Sequence, residues 1–430
     1  MPDGKSVVIV GAGLSGLCCA RTLQRAGIHA RLYEADDDVG GRVRTDLMDG
    51  YKLDRGFQVA FTAYPAIKQE MKLEALQMAA FDPGAIIFYS GKRYEISDPF
   101  RKPLELFGAA FSRLLKTGDK LGAMRLRRTI RRMSIEDIFK MYDKSTDSYL
   151  RDQGMKHRFV DRFIRPFYGG IFLERGLNTS ARMFAFTYKM LSEGQAALPR
   201  EGMGALAQQI AKDLKPDSLY LNSPVEALCR DGSRITGIRL TSGETILADR
   251  VVVATPADVA ANLTGLKLPQ EYRSVTCLYF GMPEPLYRQK KLLLFPDPNP
   301  HATEEAYVNN AAMLSNVAPS YAPQGKHLLS VSVLGNPPIS DDELAEACKK
   351  EITPYFPKCK PLTWRLLKVY RIRWAQFAQP VGIFDRIPDT ETEIPGLIMA
   401  GEITVNSSLH GALVSGQRAA ALAMSYLQDG

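Results

Sequence analysis

The 430-residue sequence holds few of the residues that build metal centres or disulfide frameworks. Its six cysteines form no C-x-x-C pair, a usage typical of reduced thiols in a cytoplasmic protein. Four of its five histidines lack metal-ligand spacing: His29, His157, His301 and His327. We therefore expect a cytoplasmic protein with free thiols and no metal site.

The chain also lacks a long apolar run. No stretch reaches the roughly 18 uninterrupted apolar residues of a membrane-spanning helix, and the first apolar run is not that of a signal peptide. The net charge of +8 favours anionic partners only weakly, and no nucleic-acid-binding motif accompanies it. Nucleic acid is therefore not expected as a partner. The length suffices for two or three domains.

The stretch from Val7 to Arg44 contains the first functional motif. An apolar run, Val7 to Val10, predicts a buried parallel strand, and three glycines in G-x-G-x-x-G spacing lead from it into a helix. The first glycine permits a tight turn, the second lets the backbone approach a pyrophosphate, and the third lets helix and strand pack closely. The predicted contacts are Gly11, Gly13, Leu14, Ser15 and Gly16, at a helix start that binds phosphate.

A second predicted strand, Ala30 to Tyr33, ends on Glu34, 18 residues after Gly16. An acid at this place, followed here by Ala35, accepts hydrogen bonds from both hydroxyls of an adenosine ribose. Strand, helix, second strand and acid together predict a dinucleotide site. The alternative is a glycine-rich turn that binds nothing.

A further glycine pair distinguishes FAD from NAD. Gly40 and Gly41 let the chain fold back over the same pyrophosphate, and Arg42 adds a charged fork to it, unless Arg42 is a solvated surface residue. Ordinary nicotinamide domains continue into another helix instead. This segment resembles the FAD-binding domain of the flavin amine oxidase superfamily, which includes monoamine oxidases, protoporphyrinogen oxidases and phytoene-type desaturases.

The last 34 residues carry a second motif of that superfamily. A predicted buried strand, Leu397 to Ala400, leads to Gly401 and Glu402, and a small-residue helix follows from about Ser407. The segment matches G-[DE]-x-T followed by G-A-x-x-S-G-x-x-A-A. The pattern is most similar to the branch of phytoene desaturases and protoporphyrinogen oxidases.

The resemblance implies an α/β fold: a Rossmann-like FAD-binding domain of the glutathione-reductase type with a discontinuous α+β substrate-binding domain. The FAD-binding domain would comprise residues 1–60, 200–264 and 396–430. The substrate-binding domain would comprise residues 61–199 and 265–395.

The resemblance also implies further cofactor contacts. A turn would pass beside the flavin ring, a backbone position would meet the adenine, and the last helix would direct N–H groups at the flavin. These residues are Gly56, Phe57 and Gln58 in the turn, Val225 at the adenine, and Leu409, Gly411 and Ala412 in the helix. The side chain of Glu402 is expected to accept a hydrogen bond from a ribityl hydroxyl or a backbone N–H.

Aromatic residues are the candidates for the substrate pocket. The segment from Phe159 to Ser180 resembles an R-P-F-x-x-G-[IV]-F element that walls the substrate chamber in the desaturase branch, and the segment from Tyr370 to Pro380 resembles a W-x-x-A-x-P element. The candidates are Tyr168, Phe172, Tyr279, Trp374 and Phe377. They are equally compatible with core packing. His410 is the candidate for proton transfer, or else a residue that packs at the helix start.

The implied activity is hydride transfer from a C–H bond (CH–CH or CH–N) of a small, largely apolar substrate to flavin N5, with oxygen or a quinone as the electron acceptor. The strand Ser274 to Phe280 lacks the lysine of amine oxidases, and the last cysteine, Cys359, precedes Gly401 by 42 residues. We therefore expect non-covalent FAD and a desaturase-like reaction. The alternatives are an amine oxidase that releases hydrogen peroxide and a flavin-bound isomerase or interaction protein.

A basic segment, residues 113–133, has eight arginines and lysines against one acid, with apolar residues between them. A basic amphipathic helix of this kind binds the surface of an anionic membrane. The alternative is a helix that packs on its own protein and exposes a solvated basic face.

Overall fold

The computed structural model describes residues 6–96, 117–296 and 306–428. Its strands are β1 (Val7–Val10), β2 (Ala30–Tyr33), β3 (Thr45–Met48), β4 (Tyr51–Asp54), β5 (Ala60–Phe61), β6 (Ala79–Ala80), β7 (Ala85–Tyr89), β8 (Lys92–Ile96), β9 (Ala196–Leu198), β10 (Leu219–Tyr220), β11 (Val225–Asp231), β12 (Arg234–Leu240), β13 (Thr245–Leu247), β14 (Arg250–Val253), β15 (Tyr272–Met282), β16 (Leu292–Leu294), β17 (Val308–Met313), β18 (His327–Leu334), β19 (Arg365–Phe377) and β20 (Leu397–Met399).

The α-helices are α1 (Leu14–Arg25), α2 (Pro65–Glu70), α3 (Leu73–Leu76), α4 (Thr117–Arg132), α5 (Ile135–Lys140), α6 (Thr146–Asp152), α7 (His157–Phe159), α8 (Arg165–Phe172), α9 (Ala181–Glu193), α10 (Ala205–Ala211), α11 (Ala257–Thr264), α12 (Leu314–Val317), α13 (Asp341–Ile352) and α14 (Leu409–Gln428). A π-helical turn, Val160–Ile164, joins α7 to α8. Among these described helices, none is long and apolar enough to span a membrane.

A five-stranded parallel sheet in the order β10-β2-β1-β14-β20 joins segments from both ends of the chain. Ile9 pairs with Leu32 on one side and with Val252 on the other, and Val252 pairs with Ile398. β1, β20 and the last three residues of β14 are fully buried, as expected of parallel strands covered on both faces. The predicted α/β fold class is confirmed.

Helices α1 and α14 pack closely because two glycines lack side chains at the contacts: Gly16 lies against the backbone that follows β1, and Gly416 of α14 lies against the backbone of α1. A Cβ on Gly16 would lie 2.0 Å from the carbonyl oxygen of Gly11, and one on Gly416 would lie 2.3 Å from that of Ser15. The predicted role of the third glycine, close packing of helix and strand, is therefore confirmed. The contact fixes the first and last motifs relative to each other.

A second, seven-stranded sheet has the order β19-β15-β18-β17-β16-β7-β8. Its pairings are antiparallel except between β16 and β7. Helix α13 covers one face, where Leu344 and Cys348 pack with Phe280 and Leu329. This sheet draws on residues 85–96 and 272–377, and we propose the domain boundaries given above on that basis.

The buried carboxyl group of Asp54 forms hydrogen bonds with residues from three distant parts of the sequence. Its Oδ1 accepts hydrogen bonds from Thr45 Oγ1 at 2.6 Å and from the Met203 N–H at 2.8 Å, and its Oδ2 accepts one from the Tyr321 hydroxyl at 2.9 Å. The Tyr279 hydroxyl donates to the Asp54 carbonyl oxygen at 2.8 Å. Burial raises the pKa of Asp54 from 3.8 to about 6, since these donors only partly offset desolvation.

Asp54 should make the protein more stable in mild acid than at neutral pH. The folded chain keeps the proton up to about pH 6 and the unfolded chain loses it near pH 3.8, so stability falls as the pH rises between these values. The loss amounts to about 3 kcal/mol. Asp54→Asn, which mimics the protonated acid, should remove this component in urea unfolding measured from pH 4 to 7. If the free energy of unfolding varied with pH in the same way for the variant and the wild type, the assignment of this pH dependence to Asp54 would be contradicted.

Candidate functional site

A cavity of about 690 Å³ opens where β1 and β20 end, and it extends to the seven-stranded sheet. Most of the residues predicted to bind the cofactor line it. They are Gly11, Gly13, Leu14, Ser15, Glu34, Ala35, Gly41, Arg42, Phe57, Gln58, Gly401, Glu402, Leu409 and Ala412. Glu34 and Glu402, which lie 368 positions apart, therefore face one cavity.

The loop of Gly11 and Gly13 lies directly beside the Gly40–Gly41 pair. Gly13 and Gly40 form an isolated parallel bridge, and the Gly40 N–H donates to the Ala12 carbonyl oxygen at 2.9 Å. A Cβ on Gly13 would meet no atom within 4 Å, because it would project into free space beside the cavity. The chain thus folds back over the first glycine loop as predicted, and it leaves an open cradle there.

Glu34 is held by backbone N–H groups. Its Oε2 accepts from the Ala12 N–H at 2.6 Å and its Oε1 accepts from the Asp36 N–H at 3.0 Å. A carboxylate has about four acceptor sites, so two remain for further donors. The acid is oriented by the protein and retains capacity for a diol.

Arg42 and Glu402 form an ion pair in the cavity wall. Arg42 Nη1 donates to Glu402 Oε1 at 2.5 Å and to the Ala375 carbonyl oxygen at 3.0 Å, and the Ser407 hydroxyl donates to Glu402 Oε2 at 2.7 Å. Arg42 is therefore not a solvated surface residue. Its side chain is 35% exposed, and Arg42 lines the cavity. In the structure an arginine and a serine donate to the Glu402 carboxylate, and the expected hydrogen bond from a ribityl hydroxyl stays a prediction.

The start of α14 is fixed to the first motif through hydroxyl groups. The Gly401 N–H donates to Ser15 Oγ at 3.0 Å and to Ser415 Oγ at 2.6 Å, and these two hydroxyls lie 3.1 Å apart. Leu409 and Ala412, in the first turn of α14, face the cavity, and this turn holds no acid. The helix start therefore favours negative charge.

Four predicted cofactor contacts do not line the cavity. Gly16 packs against Gly11, Gly56 lies under the Ile372 side chain, and Gly411 packs against the Asn406 carbonyl oxygen. Val225 begins β11 and pairs with Leu240. Gly16 and Gly411 allow close approach of backbone and Gly56 leaves room for a side chain, so these three glycines have packing roles outside the cavity lining.

The far end of the cavity is mostly apolar. One wall is a face of the helix that contains Phe163, Phe167, Gly170 and Ile171, at the spacing of one helical stripe. The other apolar residues there are Phe57, Val59, Phe61, Phe81, Met183, Leu191 and Leu292, and the uncharged polar ones are Gln58, Tyr64, Thr187, Asn310 and Gln376. Among the described lining residues there is no lysine, cysteine or histidine.

The five aromatic candidates for the substrate pocket lie elsewhere, and the prediction of a wall role does not agree with their placement. Tyr168 and Phe172 lie on the adjacent stripe of α8, where they are buried and pack with each other; Tyr168 also packs with Phe184. Tyr279 turns toward Asp54. Trp374 packs edge-on against Tyr272, and Phe377 belongs to the core beneath the parallel sheet. None of the five is among the described residues that line the cavity.

His410, the catalytic candidate, also faces away from the cavity. Its Nδ1 accepts from the Ala66 N–H at 3.3 Å, and its ring lies against Tyr64 and Phe186, with centroids 5.7 and 5.3 Å away. Burial, assisted by the charge of Arg418, lowers the pKa of His410 from 6.5 to about 4. His410 is a neutral packing residue at the helix start, and the catalytic prediction is corrected.

His410 should destabilise the protein in acid. The unfolded chain takes up a proton near pH 6.5 and the folded chain only near pH 4, so about 3 kcal/mol of stability is lost as the pH falls through this window. His410→Gln should remove that loss in urea unfolding, a change opposite in sign to that of Asp54→Asn. Anaerobic flavin reduction by the variant should keep the wild-type rate; a large fall would restore a chemical role.

Comparison with known proteins gives a consistent result. The family model of flavin containing amine oxidoreductases matches residues 14–424. The hydroxysqualene dehydroxylase of Rhodopseudomonas palustris is 29% identical over 311 residues, which cover 65% of this chain and 69% of that protein. The 15-cis-phytoene desaturase of Synechococcus elongatus is 25% identical over 465 residues, covering 96% and 94%.

A solved structure shares the fold. The crystal structure of an oxidoreductase from Methanosarcina mazei superimposes with a TM-score of 0.74 at 16% identity, covering 98% of this chain and all of that one. Two motifs at opposite ends of the chain, one cavity that both line, and a family match over almost the whole length lead to one conclusion. The chain belongs to the flavin-containing amine oxidoreductase family and is a flavin-dependent oxidoreductase.

Proposed function

We propose that the cavity holds FAD from the glycine loops to the start of α14, and that the apolar end holds the substrate. The residues present fit this group. The cradle at Gly13 leaves space for a pyrophosphate, Glu34 keeps acceptor sites for the ribose, and Arg42 spends only Nη1 on protein partners. The observation that carries the proposal is the single cavity shared by both motifs and an apolar chamber.

We propose that the FAD is bound non-covalently. Cysteine and histidine are the usual residues for covalent attachment of a flavin, and neither is among the described lining residues. Cys18 and Cys19 are buried in α1, where burial raises the pKa of the Cys18 thiol to about 12. Denaturation in acid should therefore release all the flavin into the supernatant; yellow precipitate would contradict the proposal.

The substrate is a small, largely apolar molecule, oxidised at a CH–CH or CH–N bond. When bound, FAD supplies a hydride acceptor at N5, and oxygen or a quinone takes the electrons afterwards. The chain's own residues orient the substrate and exclude water: the aromatic stripe of α8 forms one wall, and Met183 and Leu191 of α9 form another. A mostly apolar wall favours an apolar substrate, since an ammonium group would lose hydration against it except beside Asp82, the carboxylate next to Phe81 in the lining.

The second candidate is an amine oxidase. Phe61 and Tyr64, whose ring centroids are 5.2 Å apart, both line the cavity and offer an aromatic wall for a neutral amine, and the matching family is that of flavin containing amine oxidoreductases. The lack of a lysine in the described lining disfavours this function. A flavin-bound isomerase is the third candidate and predicts no net flavin reduction.

Anaerobic mixing of the FAD-loaded enzyme with candidate substrates distinguishes these functions. Phytoene and hydroxysqualene in detergent serve as apolar probes, and putrescine serves as the amine probe. Bleaching of the flavin band by an apolar probe supports the proposal. Bleaching by putrescine alone, with hydrogen peroxide on admission of air, supports the amine oxidase; product without bleaching supports the isomerase.

A further inference from the structure

We propose that the exposed basic face of α4 binds the surface of an anionic lipid bilayer. Membrane binding by this face does not depend on the proposed reaction. Only the role of the bilayer as a source of apolar substrate rests on the proposed function. Between Gly122 and Met133 the chain has five arginines and no acid: Arg125, Arg127, Arg128, Arg131 and Arg132.

The apolar side of α4 is not available to lipid. Ala123, Leu126 and Ile130 are buried against the protein, and the helix packs on α9, whose Lys189 donates to the Arg131 carbonyl oxygen at 3.4 Å. Insertion of an apolar stripe into the membrane is therefore excluded for residues 122–132. Residues 113–116, the start of the predicted segment, lie outside the described residues.

The basic side of α4 has no counter-charge in the described part of the chain. None of its five arginines forms an ion pair there. Among the acids of the flanking helices, Glu136 pairs with Lys140, Glu193 pairs with Lys189, and Asp137 accepts hydrogen bonds from Ser134 at the start of α5. Arg125, Arg128, Arg131 and Arg132 are exposed. A shallow groove on this face is lined by Met124, Arg127, Arg128, Arg131 and Arg132. Arg127 Nε is buried without a partner among the described atoms.

A bilayer fits this face better than a nucleic acid. The described face presents arginines and one methionine but no aromatic side chain for base stacking. Arginine stems cover apolar surface while their guanidinium groups meet phosphate, as at a lipid headgroup layer. The opposite side of α9 lines the apolar end of the cavity through Met183, Thr187 and Leu191. The face thus lies one helix away from the site of an apolar substrate, which a bilayer concentrates.

Co-sedimentation of the FAD-loaded protein with vesicles tests the proposal. The wild type should sediment with phosphatidylcholine vesicles that contain phosphatidylglycerol but not with phosphatidylcholine alone, and salt should release it. The variant R125Q/R128Q/R132Q should lower the partition coefficient about 100-fold, given the contribution of each arginine near a charged surface. These exposed residues lie outside the cavity, so flavin absorbance should be unchanged.

The matched control removes equal charge elsewhere. The variant K350Q/K358Q/K360Q neutralises three exposed lysines in the last turn of α13 and just beyond it, and it should lower vesicle binding several-fold at most. Equal losses for the two variants would mean that only net charge matters and would overturn the proposal. Tighter binding to a DNA duplex than to the vesicles at equal salt would also overturn it. A colourless protein would instead contradict the proposed cofactor, which vesicle binding does not measure.

Discussion

Arg42→Met is expected to raise the Kd of FAD by about 1000-fold, the largest binding defect that a single wall residue should cause. The substitution removes guanidinium donors from the cavity and leaves the Glu402 carboxylate without its cation. Glu402 is only 11% exposed, so its unpaired charge stays in a poorly solvated place and repels a pyrophosphate. The two losses together correspond to about 4 kcal/mol.

The partner of Arg42 supplies the control. Glu402→Gln keeps a hydrogen-bonding side chain beside Ser407 and frees the arginine, so it should bind FAD as tightly as the wild type or more tightly. The double variant should bind better than Arg42→Met alone, because the unpaired carboxylate is gone. Titration of each apoprotein with FAD, followed by flavin fluorescence, measures the Kd values and hence their order. A double variant as weak as Arg42→Met would assign the whole loss to the missing guanidinium.

The cofactor end could be predicted because its chemistry is carried by backbone at fixed positions in the sequence. Gly11 and Gly40 adopt φ angles of +100° and +109°, which glycine tolerates best, and Glu34 follows a strand whose length fixes its position. Such requirements are visible in a single sequence. The predicted strands β1, β2 and β20 agree with the structure to within a residue.

The substrate end was predicted poorly because its residues depend on the rotation of a helix. Phe163 and Phe167 line the cavity, whereas Tyr168 and Phe172 occupy the adjacent stripe and are buried in the core. Both stripes are aromatic, so composition does not choose between them. The π-helical turn before α8 also changes the phase. The spacing 163, 167, 170 and 171 was the available signal for the cavity face.

The pocket prediction for Trp374 and Phe377, in the second segment of the substrate-binding domain, failed for a related reason. The sequence predicts a strand from Trp364 to Tyr370, but β19 runs from Arg365 to Phe377 and includes the beginning of the segment that resembles a W-x-x-A-x-P element. A register shift opposite Arg273 and Val275 breaks the regular alternation of faces, so Ala375 and Gln376 line the cavity while Trp374 does not. Such a bulge depends on the partner strand, which is distant in sequence.

Gly416→Val is expected to lower the free energy of unfolding by about 5 kcal/mol, above the common cost of overpacking, because the new atoms meet backbone. A Cβ at this position would lie 2.3 Å from the Ser15 carbonyl oxygen and 3.0 Å from the Cys19 nitrogen. Neither atom belongs to a side chain that can change rotamer, so α1 and α14 must separate. The same separation pulls Ser415 away from Ser15 and from the Gly401 N–H.

The defect should therefore reach the cofactor as well as the fold, since Gly401 and Ser15 both line the cavity. Ala421→Val is the matched control: it adds the same kind of side chain to an exposed position of the same helix and should cost about 0.5 kcal/mol through helix propensity alone. Urea unfolding of the two variants, followed by circular dichroism and flavin fluorescence, measures both effects. If Gly416→Val unfolded within about 1 kcal/mol of the control, α1 and α14 would not be in backbone contact, and the joining of the two motifs would need another explanation.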